Sequence, residues 1–186
     1  MTRLNDKDIR PSLIQKLKNQ SIKPRAVLEE LHVHNGNAIA DVVALYNDAH
    51  CFEIKGDGDK IERIIDQGYF YNLSFRKITL VTTRKHLEKA LSIAPYYWGI
   101  MVAEESNNNI CINYARAAQY NPNFHKSIAL LTLWKNEMLN LLDKKNRHKT
   151  KNRAFLAKLI SQSQRKDELS KNICSSLLSR YEDVLA

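Results

Sequence analysis

The sequence predicts an α/β fold: a mixed, partly parallel sheet flanked by helices, followed by an α-helical C-terminal region. Three observations predict it. Short runs rich in β-branched and apolar residues recur through the first two thirds of the chain. Between the later runs lie segments with helical spacing, a strand–helix–strand rhythm that implies right-handed crossovers and parallel pairing. After "YNPN" (residues 120–123) the pattern becomes wholly helical.

Each element follows in order. "DKDIRPSLIQKLKNQ" reads as an opening helix with Pro11 tolerated only in its first turn. "VLEELHV" is apolar enough for a strand, although its pattern does not exclude helix. "AIADVVALY" and "HCFEI" are two strands joined by "NDA", where Asn47 and Asp48 supply turn chemistry. Gly56 and Gly58 mark a turn, and Asp57 or Asp59 can cap the helix that follows. In that helix Ile61, Ile64, Ile65 and Gly68 fall on one side. Asp59, Lys60, Arg63, Gln67 and Tyr71 fall on the other. Gly68 on the apolar side would let helix and sheet approach closely. "RKITLVTT" is a further strand, "RKHLEKALSIA" a short helix stopped by Pro95, and "YYWGIMVAE" a strand buried on both faces. "ICINY" is a sixth strand at an edge.

Beyond it, "KSIALLTLWKNEMLNLLDKK" places Leu130, Leu131, Trp134, Met138, Leu141 and Leu142 on one helical side, with Trp134 as a packing residue. "NRAFLAKLISQS" and "KDELSKNICSSLLSRYEDVL" make two more helices. The boundary falls near residues 115–125, giving a core of residues 1–118 and a basic helical region of residues 119–186 packed upon it.

The chain has 186 residues, enough to bury a substantial core as one domain with an appendage. No apolar run is long enough to span a membrane, and the N-terminus lacks a secretory pattern, so cytoplasmic location is expected. Cys51, Cys111 and Cys174 are odd in number and far apart, which supports neither a zinc site nor a disulfide framework. Cys51 reads as a small buried residue. His32 and His34 could share a strand face, and His86 reads as a helix-surface histidine.

The net charge is +9. Residues 144–171 hold ten Lys/Arg against Asp167 and Glu168, a net +8, nearly the whole excess. Lys144, Lys145, Arg147, Lys149, Lys151 and Arg153 form its densest part, which reads as an exposed linker able to grip phosphates without reading bases. A solvated loop that merely keeps the chain soluble is the plainer reading. Lys60 and Arg63 add two further candidate contacts.

Asp41 and, twelve residues later, Glu53-Ile54-Lys55 form the sharpest chemical pattern. Side chains alternate along a strand, so Glu53 and Lys55 share a face. A hairpin would bring Asp41 to them. Two carboxylates and the Ile54 carbonyl are hard oxygen donors of the kind Mg²⁺ or Mn²⁺ takes, with phosphate completing the shell. Lys55 beside them could hold a water or stabilise negative charge. The plainer reading is an amphipathic strand pair with charges at its wet end.

Asp41, Glu53-X-Lys55 and Gln67-X-X-X-Tyr71 together resemble the PD-(D/E)XK nuclease superfamily, its RecB-like branch. More narrowly, "KITLVTTRKHLEKAL", "PYYWGIMVAEE" and "LLTLWKNEML" resemble a group of small bacterial and mobile-element proteins with that core and a helical tail. The resemblance implies a restriction-endonuclease-like sheet and a Mg²⁺-dependent deoxyribonuclease. Asp41 and Glu53 would bind metal and Lys55 would be the catalytic lysine. Gln67 and Tyr71 would shape the site, and an upstream glutamate, Glu30 in preference to Glu29, would complete it. Ala40 departs from the proline of the superfamily's name. DNA is the implied partner, with RNA open, and with a homodimer or a partner subunit as the assembly. The competing readings are a nucleic-acid-binding protein that acts with a partner or as a regulator without cutting, and a protein-interaction module.

Overall fold

A computed structural model describes residues 3–107, 109–143 and 145–185; of 145, 146 and 183–185 only the backbone course is described. A mixed six-stranded sheet in sequential order carries helices on its faces, and a helical region closes the chain. β1 (Ala26–Val33), β2 (Ala38–Leu45) and β3 (Ala49–Lys55) run as an antiparallel meander. β4 (Lys77–Thr83) and β5 (Gly99–Ser106) join parallel to β3. β6 (Asn109–Arg116) returns antiparallel to β5. The parallel pairs are linked by α2 (Arg63–Ser74) and α3 (Leu87–Ile93), as parallel pairing requires. "VLEELHV" is strand, which settles the ambiguity of its pattern.

Alternation sorts each strand between two apolar layers. On one face α1 (Asp6–Lys18) buries Ile9, Leu13 and Leu17 against Val42, Phe52, Ile54, Val81, Met101 and Ile112. The other face carries Val43, Leu45, Cys51, Ile78, Leu80 and Ile100 under α2 and the C-terminal helices. That second layer runs without a break from the sheet to Leu130, Leu156, Ile160 and Leu177.

Several local expectations are corrected. Pro11 is the sixth residue of α1, past its first turn; it removes one backbone donor on an exposed side and the helix continues. α2 begins at Arg63 with Glu62 before it and no side-chain cap. Asp57 and Asp59 serve the turn: Asp57 accepts from Leu4 N at 2.9 Å and Thr83 Oγ1 at 2.6 Å, and Asp59 accepts from Gly56 N at 2.8 Å. Ile65 is 60% exposed and Tyr71 wholly buried, so the buried stripe of α2 is rotated from the one its isoleucines suggest. Ile61, Ile64 and Gly68 stay on the buried side, where a Cβ on Gly68 would stand 3.1 Å from the Trp98 ring.

The long helix expected after residue 126 is broken into α4 (Lys126–Ala129), a 3-10 turn (Leu130–Thr132) and α5 (Lys135–Asn140). Leu133 and Trp134 are extended at the break. Trp134 is 59% exposed rather than a packing residue, and the Arg180 guanidinium lies 4.2 Å from its ring centroid. α6 (Arg153–Ser163) and α7 (Lys166–Leu185) follow as expected. His86 is buried, and His34 leaves the strand in a turn where His34, Asn35 and Gly36 all have positive φ (49°, 60° and 88°). It therefore cannot share a strand face with the exposed His32.

Candidate functional site

Asp41, Glu53, Lys55 and Tyr71 meet where β2 and β3 part, beneath α2. The β2–β3 ladder ends at the pair Val42↔Phe52. Just beyond it the Asp41 carboxylate takes the place of a main-chain acceptor: the Ile54 N–H donates to Asp41 Oδ2 at 2.7 Å. Sequence alternation put Glu53 and Lys55 on one face, and both are buried there, at 1% and 5% exposure. Lys55 Nζ donates to Glu53 Oε1 and lies 3.4 Å from the Ile54 carbonyl. The Lys55 carbonyl in turn accepts from Thr82 Oγ1 at 2.9 Å, which ties the end of β3 to β4.

Tyr71 closes the cluster from α2. Its hydroxyl is 2.7 Å from Glu53 Oε2 and 2.7 Å from the Ile39 carbonyl, so one phenolic proton is shared between two acceptors. Burial, then the negative charge of Glu53, push the Tyr71 phenol well above its ordinary range, and it remains a neutral donor. The same two causes, burial first and Glu53 second, raise Asp41 to about 7; the Ile54 N–H and Lys55 oppose them. Two carboxylates thus share one buried lysine, and the pair is left short of positive charge.

Arg10 supplies part of it and escaped the sequence reading. From α1 it reaches Asp6 (2.7 Å), Glu29 (3.5 Å), Glu30 (3.5 Å) and Asp41 (3.7 Å). Its only local signal was Asp6 one turn earlier; the other partners are distant in sequence. Glu30 has φ 53° and lies between the pairs Glu29↔Val42 and Leu31↔Ala40, on the strand beside Asp41. Its side chain is exposed, as is that of Glu29, and neither enters the buried cluster. Gln67 lies one turn before Tyr71 with its Oε1 buried and without a hydrogen-bond partner among the described residues.

The basic candidates divide. Lys60, Arg63, Arg147, Lys149 and Lys151 are exposed. Arg153 is half-buried and committed to the fold, donating from Nη2 to the Leu131 carbonyl. Lys144 lies outside the described residues, as does the side chain of Lys145. Among the described residues no group of three or more His, Cys, Asp or Glu is placed to hold a metal ion. No helix among them is long and apolar enough to cross a membrane.

The family model described as Bacteriophage P4 protein cII matches residues 1–184. Protein cII of Enterobacteria phage P4 is 23% identical over 141 residues, covering 75% of this chain and 53% of that protein. The chain therefore spans about half the length of the curated relative it matches. Among solved structures, a protein of unknown function from Silicibacter pomeroyi has a TM-score of 0.48 at 12% identity, covering 64% of this chain and 75% of that one.

These matches overturn the nuclease resemblance. The family that covers the chain is a phage protein family, not the PD-(D/E)XK superfamily or any other nuclease family, and the Mg²⁺-dependent deoxyribonuclease falls with it. Glu53 accepts one hydrogen bond on each carboxylate oxygen, from Lys55 and from Tyr71, which leaves each oxygen a second lone pair. A short Asp/Glu-X-Lys pattern reports strand alternation as readily as it reports chemistry.

Proposed function

The chain belongs to the bacteriophage P4 protein cII family, and from that premise we propose a nucleic-acid-binding regulatory protein that acts on DNA, alone or with a partner, without cutting it. The observation that carries the reading is where the positive charge lies. Arg147, Lys149, Lys151, Lys158, Arg165, Lys166 and Lys171 are all exposed on the C-terminal region. Lysine and arginine placed this way neutralise phosphates and release counterions, which gives affinity without base readout. Cytoplasmic location belongs to the same proposal, since DNA is met there.

A divalent cation belongs to it as well. Asp41, Glu53 and the Ile54 carbonyl would hold Mg²⁺ or Mn²⁺; burial first, and the Glu53 charge second, raise the proton affinity of Asp41, and a cation would offset the second. The donors are too few for a protein-only cage, so a phosphate oxygen would complete the shell. The ion would supply charge neutralisation there. Tyr71 and Lys55 would orient Glu53, and Arg10 would face Asp41 from the other side. Melting of the protein with Mg²⁺ and with EDTA tests this part: a rise with Mg²⁺ that Asp41→Asn removes is expected, and equal melting in both discards the ion.

The binding itself is tested by anisotropy of a labelled duplex, a single strand and an RNA across a salt series. Binding that weakens steeply with salt is expected. Replacing Arg147, Lys149 and Lys151 together by Ser should flatten the dependence of log K on log salt by about 1 for each phosphate no longer neutralised. An unchanged slope would mean that other side chains meet the phosphates.

A further inference from the structure

We propose that two copies of this chain pair edge to edge along β6, forming one continuous sheet across a twofold axis. The sheet has two edges, and they are built differently. β1 carries Glu29, Glu30 and His32, its backbone is irregular at Glu30, and α7 and the 3-10 turn at Leu130–Thr132 pack beside it. Charge, irregular backbone and a cover are the devices that keep a strand edge from recruiting another.

β6 is protected less: α1 packs against its face, and its charge and its register shift both fall at its last residue, Arg116. From Asn109 to Ala115 it bears no charge, no proline and no glycine, in a chain in which 26% of residues are charged. Its pairing with β5 is regular from Ser106↔Asn109 to Met101↔Tyr114, and the one register shift falls at its far end. Ile110 and Ile112 pack with the α1 layer, whereas Asn109, Cys111, Asn113 and Ala115 are exposed. Among the described residues no strand pairs with its outer side.

The occupant is a second copy because of charge and symmetry. Two chains of +9 repel, so stable contact between them needs a face free of like charge, and Asn109–Ala115 is such a face. α7 and the Leu130–Thr132 turn pack beside β1, at the opposite edge of the sheet. An antiparallel strand edge is also self-complementary: every unpaired N–H and C=O of one copy finds its counterpart in the other. Eight residues of edge bury less than a standard interface, so the association is reversible and depends on concentration.

The experiment is sedimentation velocity on the full chain from about 1 µM to about 100 µM, a range that brackets a weak dimer. The parent is expected to shift from monomer to dimer. Cys111→Lys combined with Asn113→Lys puts like charges across the twofold axis and should weaken the dimer at least about tenfold, with an unchanged melting temperature. A second measurement does not depend on that variant. Cys51 and Cys174 are buried and Cys111 is exposed, so a short bis-maleimide should link two parent chains at Cys111. Cys111→Ser should remain a dimer and resist linking. A parent that is monomeric throughout, or a dimer that neither the lysines nor the serine variant affects as stated, overturns the proposal.

Discussion

Asp41 is held at the balance point of the cluster. Burial and Glu53 raise its carboxyl to about 7, against an unfolded value near 3.8. Between those two pH values the folded chain binds a proton that the unfolded chain has released. Stability from this group is therefore greatest at low pH and is lost as pH rises through about 7. Its side chain is 25% exposed, and the difference amounts to roughly 4 kcal/mol at most. Chemical denaturation of the parent and of Asp41→Asn from pH 4 to 8 checks this. The parent should lose stability relative to the variant as pH rises. Parallel curves would mean that Asp41 titrates normally. Tyr71→Phe removes the one donor shared by Glu53 and the Ile39 carbonyl. It should cost about 1–3 kcal/mol in urea denaturation, the range for a buried acceptor left unpaired. No loss would show that water reaches the cluster.

Elements meet at positions where a side chain has no room. Gly56 ends β3 against the N-terminal segment: a Cβ there would stand 2.6 Å from the Leu4 carbonyl and 2.7 Å from Asn5 Cα. Both neighbours are backbone, so the segment itself must move. Gly56→Ala should cost about 1–3 kcal/mol by thermal or urea denaturation, as overpacking does. A variant as stable as the parent would show that the N-terminal segment shifts freely. At this scale the sequence was readable wherever one signal dominated. β-branched runs marked β2 to β5, and turn residues marked their ends. It was not readable where packing overrode periodicity. Nothing in "LLTLWKNEML" announces the break at Leu133 and Trp134, because neither residue disfavours helix strongly. Ile61, Ile64 and Gly68 are buried as their spacing suggests, but the stripe of α2 runs on to Tyr71 instead of through Ile65.

The whole molecule separates a buried acidic cluster from an exposed basic region. The cluster itself was legible, since alternation alone unites Glu53 with Lys55 and the hairpin adds Asp41. Its use was not. Whether a carboxylate–lysine group is open to a substrate or closed on itself depends on Tyr71 and Arg10, which arrive from other elements and leave no local trace. Charge on the C-terminal region was legible as well, because exposure follows from its lack of apolar pattern; Arg153 was the exception, held by the Leu131 carbonyl. Family membership removes the nuclease reading, and the proposed function rests on the basic region.

The most direct measurement is one binding and integrity assay: duplex DNA incubated with the protein, with Mg²⁺, Mn²⁺ or EDTA, at low and high salt. The proposal predicts a retarded complex that dissociates as salt rises, with the recovered DNA intact under every condition. Absence of binding at low salt, or DNA cut in the presence of metal, would contradict it.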